Sequence, residues 1–231
     1  MSELKALLFD VDGTLADTER DGHRVAFNRA FSDAGLDWHW DVATYGRLLE
    51  VFGGKERLRH YIENDLPRDQ RPGDVDDFVA DVHADKTRQY TELLESGAIA
   101  LRPGVERLLR EARAAGLTLA VASTTTPKNV ATLMRANLGP GGEAFFDVVS
   151  AGDMVDNKKP APDVYLHALE GLDLPPEACL VFEDAGLGLV SARRAGLDAI
   201  VTVNGYTKNE DFSGALLVLN VWLVSQNSAG F

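Results

Sequence analysis

The sequence predicts an α/β protein: a parallel sheet with helices on both faces, interrupted after its first strand by a helical insert. Three observations predict it. Short apolar runs without helical spacing recur at residues 4–9, 117–122, 146–149, 178–182 and 199–203. From residue 97 onward these runs alternate with helical segments, the pattern of parallel strands joined by crossover helices. Residues 16–96, by contrast, hold several helical stretches and no convincing strand.

The first run reads as a buried strand that ends at Asp10. In residues 21–35 the apolar positions Val25, Ala26, Ala30, Phe31 and Ala34 fall at helical spacing, and Gly35 closes the helix. Further helices are expected over 38–50 and 54–64, a polar loop over 67–73, and a long polar helix over 74–95 ended by Gly97. Pro103 then opens a helix that stops at Gly116. Helices at 128–137, 162–170 and 187–195 separate the later strands. The expected division is a core of residues 1–15 and 97–231 and a helical cap of residues 16–96.

Charge narrows the function. The 231 residues carry a formal net charge of −13. Such a chain repels a phosphate backbone, so nucleic-acid binding is not expected. An anionic substrate would need local cations. No apolar stretch approaches the roughly 20 residues that span a bilayer, and the N-terminal run is too short and too soon acidic for a signal peptide. The single cysteine, Cys179, cannot form an internal disulfide and reads as a small buried side chain. A cytoplasmic location is expected, or a plastid stroma after transit-peptide removal if the source is a plant or alga.

Ligands of open α/β sheets bind outside the carboxyl ends of the strands. Those ends hold Asp10-Val11-Asp12-Gly13-Thr14, Ser123-Thr124 and Glu183-Asp184, with Lys158-Lys159-Pro160 just before a helix. Each alone has an ordinary reading: a turn, a loop, an N-cap, surface charge. A calcium loop is excluded because Leu15 stands at its sixth position, where glycine is needed. Together they describe a site. Four clustered carboxylates repel one another, and a divalent cation removes the conflict. All-oxygen ligands favour Mg2+, and no His or Cys cluster suggests zinc. Residues i and i+2 of an extended segment point the same way. Asp10 can therefore act as nucleophile while Asp12 serves as general acid and base. Lys159 supplies positive charge, and Ser123 can donate to a phosphoryl oxygen.

These segments resemble the haloacid-dehalogenase-like hydrolases, on Phe9-Asp10-Val11-Asp12-Gly13-Thr14-Leu15, Ala122-Ser123, Lys159-Pro160-Ala161-Pro162-Asp163 and Phe182-Glu183-Asp184. The resemblance covers nearly the whole chain. It implies a Rossmann-like core, Mg2+ and an aspartyl-phosphate. It also implies metal contact by Asp10, the Asp12 backbone carbonyl and Asp184, with Glu183 close or acting through water. One departure is Ala185, where the family usually has serine.

A narrower resemblance is to the CbbY-like branch, on residues 17–24, Gly53-Gly54-Lys55-Glu56-Arg57, Leu101-Arg102-Pro103-Gly104, Gly205-Tyr206-Thr207 and Glu210-Asp211-Phe212. It implies a sugar phosphatase acting on xylulose 1,5-bisphosphate or a similar compound. A second phosphate needs its own cations, which Gly54, Lys55 and Arg57 offer at a helix start. The same stretch also reads as a glycine-started helix with surface charge. It is not a P-loop: Glu56 stands where serine or threonine belongs. Glu19 and His23 follow the crossing into the cap and are candidate sugar contacts, His23 equally a plain helix residue. Thr124 joins Ser123 and Lys159 among the candidate substrate contacts. A monomer is expected. The alternatives are a β-phosphoglucomutase-like phosphomutase and a non-enzymatic binding protein on the same fold.

Overall fold

The computed structural model describes residues 3–51 and 53–220. In chain order its elements are β1 (Ala6–Phe9), α1 (Arg24–Asp33), α2 (Val42–Leu48), α3 (Gly54–Asn64), α4 (Val75–Glu95), α5 (Val105–Ala114), β2 (Thr118–Ser123), α6 (Pro127–Leu138), β3 (Val148–Ala151), α7 (Asp163–Leu172), β4 (Cys179–Glu183), α8 (Gly186–Arg194), β5 (Asp198–Thr202) and β6 (Leu217–Leu219). The chain divides into two compact units. One is the chain up to Asp17 together with the chain from Ala100 onward, and the other is Thr18–Ile99.

In the first unit, the described strands form one parallel sheet in the order β3-β2-β1-β4-β5-β6. The expected fold class stands, and the first five strands follow the Rossmann-like order. All four residues of β1 are buried, as a central strand covered on both faces requires. Phe9 pairs with Val121 on one side and Phe182 on the other. This register sets Asp10 level with Ala122 and Glu183. The Phe9 and Phe182 rings stack at 5.1 Å, directly beneath the strand ends. One face of the sheet packs Leu8, Val181 and Val201 against Val164, Tyr165 and Ala168 of α7 and Leu189 and Ala192 of α8. Cys179 is buried, as expected.

Ala16 and Leu101 form an antiparallel bridge, and the Arg102 N–H donates to the Leu15 carbonyl at 2.8 Å. The two strands of chain that leave and re-enter this unit are thus tied side by side.

The second unit is helical throughout, with α1 packed on α4. Its chain begins with a π-helical turn, Thr18–His23, that runs into α1. Phe27, Phe31, Trp40 and Tyr45 form its aromatic centre. The helix expected over 38–50 is only α2. Asn28 explains the shortening: its side chain accepts from the Trp40 N–H at 2.8 Å and donates to the Trp40 carbonyl at 2.9 Å. These bonds occupy both backbone groups of Trp40, and Asp41 then caps α2 by accepting from the Thr44 N–H.

Two strands differ from the expectation. β3 begins two residues later, because residues 142–145 form a 3-10 turn. β6 was not foreseen. Its three residues are largely exposed, so they carry no buried-strand pattern.

At the N-terminus of α8, Ala185 occupies the cap position in extended conformation and supplies no side-chain bond. The Gly186 N–H is met instead by the Glu210 carboxylate at 2.7 Å. A hydroxyl at this position would accept from a further orphan N–H of the first turn. Ala185→Ser is therefore expected to stabilise the protein by about 1 kcal/mol, read as a higher midpoint in urea unfolding.

Candidate active site

Asp10 follows β1 directly, and its N–H still bonds the Phe182 carbonyl at 3.0 Å. The chain then turns back on itself, with Gly13 N–H bonded to the Ala16 carbonyl at 2.8 Å. Gly13 has φ +88°, and a Cβ there would stand 2.2 Å from an Asp184 oxygen. Both the backbone angle and the close approach require glycine.

Lys159 sits just before α7, and its ammonium reaches three acceptors: Asp10 Oδ1 at 2.7 Å, Glu183 Oε1 at 2.6 Å and the Ala122 carbonyl at 2.9 Å. Three donors meet three acceptors, so the group is saturated. Burial works against its charge, but Asp10 and Glu183 outweigh burial and raise its pKa. Glu183 Oε1 also accepts from the buried Tyr165 hydroxyl, and Oε2 accepts from the Asp184 N–H at 3.3 Å. Gly188 on α8 makes room for that carboxylate, since a Cβ there would stand 2.1 Å from it. Asp184 Oδ2 accepts from the Asn204 amide at 2.7 Å, and Thr14 lies 3.4 Å from Oδ1.

Among the described residues, Asp10, Glu183 and Asp184 offer carboxylate oxygens that all lie within 4.8 Å of one another. All three are buried. Burial first, then the charges of Asp10 and Glu183, push the Asp184 pKa well up. One lysine cannot balance three carboxylates, and a hard divalent cation can. The donor set therefore fits a divalent metal. The Asp12 carboxylate stands outside this group.

Ser123 is buried at the end of β2, and its hydroxyl accepts from the Thr125 N–H at 3.4 Å. Thr124 is exposed. Lys158 points away, paired with Asp153 at 3.1 Å on the surface. Tyr165, Gly188 and Asn204 escaped the sequence reading. Tyr165 occupies an ordinary apolar position of α7, and only the fold reveals where its hydroxyl goes.

Within the helical unit, Glu19 accepts from the Tyr45 hydroxyl at 2.6 Å, and that hydroxyl accepts from Arg57 at 2.9 Å. Arg57 is buried, also donates to the Leu48 carbonyl, and lies 4.0 Å from Glu19. It is thus not the surface charge that the sequence allowed: its Nε and Nη1 hold α2 against α3. Lys55 is exposed at the start of α3. Gly54 lets α3 approach α4, because a Cβ there would stand 2.6 Å from His83 Nε2. His23 stacks on Tyr90 at 3.9 Å. Its Nδ1 lies 2.8 Å from the ammonium of Lys86, which can only donate. Lys86, a buried cation over the Phe27 and Tyr90 rings, was also missed.

A family model of the haloacid dehalogenase-like hydrolases matches residues 4–196. The chain belongs to this family. This hydrolase is 51% identical over 213 residues to Protein CbbY of Rhodobacter capsulatus, a match covering 92% of this chain and 91% of that one. A crystal structure of a CbbY variant from Rhodobacter sphaeroides, in complex with xylulose-(1,5)bisphosphate, superimposes with a TM-score of 0.79. It is 45% identical and covers 95% of each chain. A phosphorylated carbohydrates phosphatase of Thermotoga maritima is 34% identical, covering 87% of this chain and 85% of that one. The hydrolase is thus the phosphatase that its strand-end motifs led us to expect. No helix among its described residues is long and apolar enough to cross a membrane.

Two predictions follow from the site and the helical unit. Tyr165→Phe removes a hydrogen bond to a buried carboxylate and is expected to cost about 1.5–3 kcal/mol of stability, measured by urea unfolding. Burial, and then the charge of Lys86, lowers the His23 pKa well below 6.5 and that of His83 to about 4. Both rings bind protons more readily in the unfolded chain. Stability is therefore fully present above the unfolded value of 6.5 and is lost as the pH falls toward 4. The melting temperature should fall between about pH 7 and about pH 5, and fall less in His83→Gln.

Proposed function

We propose that this hydrolase is a Mg2+-dependent phosphatase of sugar phosphates, acting through an aspartyl-phosphate on Asp10, with xylulose 1,5-bisphosphate or a similar sugar bisphosphate as substrate. The observation that carries the reading is the Lys159 ammonium bonded to both Asp10 and Glu183. It grips one Asp10 oxygen and aims the carboxylate at one place, as a nucleophile requires.

In this reading an Asp10 oxygen attacks phosphorus, and the sugar oxygen leaves with a proton from Asp12. Asp12 then takes a proton from a water that attacks the same phosphorus, and Asp10 is released as carboxylate. Ser123 donates to a phosphoryl oxygen, and Thr124 borders the same strand end. Mg2+, held by Asp10, Asp184 and the Asp12 carbonyl with Glu183 beside them, would offset the phosphoryl charge. The buried acidic group and the Rhodobacter sphaeroides relative bound to xylulose-(1,5)bisphosphate support it.

Residues 16–96 are the helical cap domain, and residues 1–15 and 97–231 the phosphatase core. Glu19 and His23 contact the sugar. The second phosphate is met by Lys55 and the backbone of Gly54 at the start of α3, where the helix dipole favours an anion. Arg57 serves that phosphate through the geometry of α3.

A screen of sugar mono- and bisphosphates with Mg2+ tests the reading. Free phosphate should appear, and appear fastest with bisphosphates. Interconversion of sugar phosphates without phosphate release would make the enzyme a phosphomutase. Asp10→Asn should reduce release to background. Lys55→Ala should raise KM for bisphosphates and leave monophosphates unaffected; an equal loss on both would refute the second phosphate site.

A further inference from the structure

We propose that Arg102 and Asn204 form a positioning relay that holds the Asp184 carboxylate ready for a divalent cation, an inference that rests on the metal reading above. Arg102 is the second residue after Ala100, where the chain re-enters the sheet unit. Its side chain is buried. The guanidinium donates to the carbonyls of Gly13, Thr202 and Val203, the last two at 2.9 and 2.7 Å. Its Nε lies 3.5 Å from Asp17.

These carbonyls lie on two segments that carry part of the site, the turn after β1 and the end of β5. Gly13 is in the turn after Asp10, and its Cα packs against Asp184. Thr202 and Val203 lead directly into Asn204. One planar fork presents several donors in fixed directions and so spans both segments; a lysine offers one compact ammonium in place of that fork.

Asn204 completes the relay. Its side-chain oxygen accepts from the Tyr206 and Thr207 N–H groups at 2.8 and 3.2 Å, and its own N–H donates to the Thr207 hydroxyl at 3.1 Å. These bonds decide which end of the amide is the donor, and that end meets Asp184 Oδ2 at 2.7 Å. A Cβ on Gly13 would stand 2.7 Å from the same amide nitrogen, so Gly13, Asn204 and Asp184 interlock. With Oδ2 held by Asn204 and Oδ1 3.4 Å from the Thr14 hydroxyl, the Asp184 carboxylate is fixed beside Asp10 and Glu183. Arg102 and Asn204 act only through Asp184, as positioning residues.

The test is a thermal-shift titration of the full chain with Mg2+, without substrate. Wild type should be stabilised by Mg2+ with a measurable midpoint concentration. Loss of a partner behind a metal ligand typically weakens metal binding by about 10–100-fold. Asn204→Ser, at a half-exposed position, should raise the midpoint by about that factor. Arg102→Lys, which keeps the charge and loses the fork, should move it in the same direction. Variants that melt lower at every Mg2+ concentration but keep the wild-type midpoint would overturn the relay. A wild type that Mg2+ does not stabilise at all would instead overturn the metal reading.

Discussion

The site depends on one ammonium group. Lys159 lies between Asp10 and Glu183 with all its protons engaged and almost no exposure to water. Removing one partner of a buried ion pair leaves a charge that water cannot reach, which is why such pairs tolerate no half measures. The surrounding packing follows from that constraint. Tyr165 turns its hydroxyl inward to share Glu183, Gly188 gives up a side chain to make room for it, and Phe9 and Phe182 seal the floor. Burial, and then the charges of Asp10 and Glu183, disfavour a negative charge on Asp184, and a divalent cation would relieve that penalty.

The strand ends were legible in the sequence because parallel strands buried on both faces show as unbroken apolar runs, and a chain leaving such a run is placed at the carboxyl edge. Asp10, Ser123, Glu183 and Asp184 could therefore be located before any coordinates existed, and with them the family. Tyr165 and Asn204 could not, and Arg102 was visible only as part of the Leu101-to-Gly104 motif. Their importance lies in where a hydroxyl, an amide and a guanidinium end up after the sheet has closed, and nothing adjacent in sequence signals it. The exposed edge strand β6 and the extended stretch before α2 escaped for related reasons. The first lacks a buried face, and the second is held by Asn28, twelve residues earlier.

The helical unit shows the same limit from another side. Arg57 looked like a free cation because three charged residues run in sequence after Gly54. Folding commits it to Tyr45 and the Leu48 carbonyl, while a lysine with no local signature, Lys86, becomes the buried cation beside His23. Charge counted along the chain says how much is present. Only packing says which charges are spent on structure.

The position of β1 has a consequence for how this chain reaches its fold. Leu8 in the middle of the sheet pairs with Ala120 and with Val181, both more than a hundred residues further on. The helical unit contains only local sequence, and it is complete by Ile99. On a ribosome, then, the first strand is made early and must wait. The insert can assemble at once, whereas β1, which leads into Asp10, stays unpaired until α5 and β2 have emerged. Closing so long a loop costs entropy before any contact repays it. Within the sheet, closing that loop and building the surroundings of Asp10 are the same event.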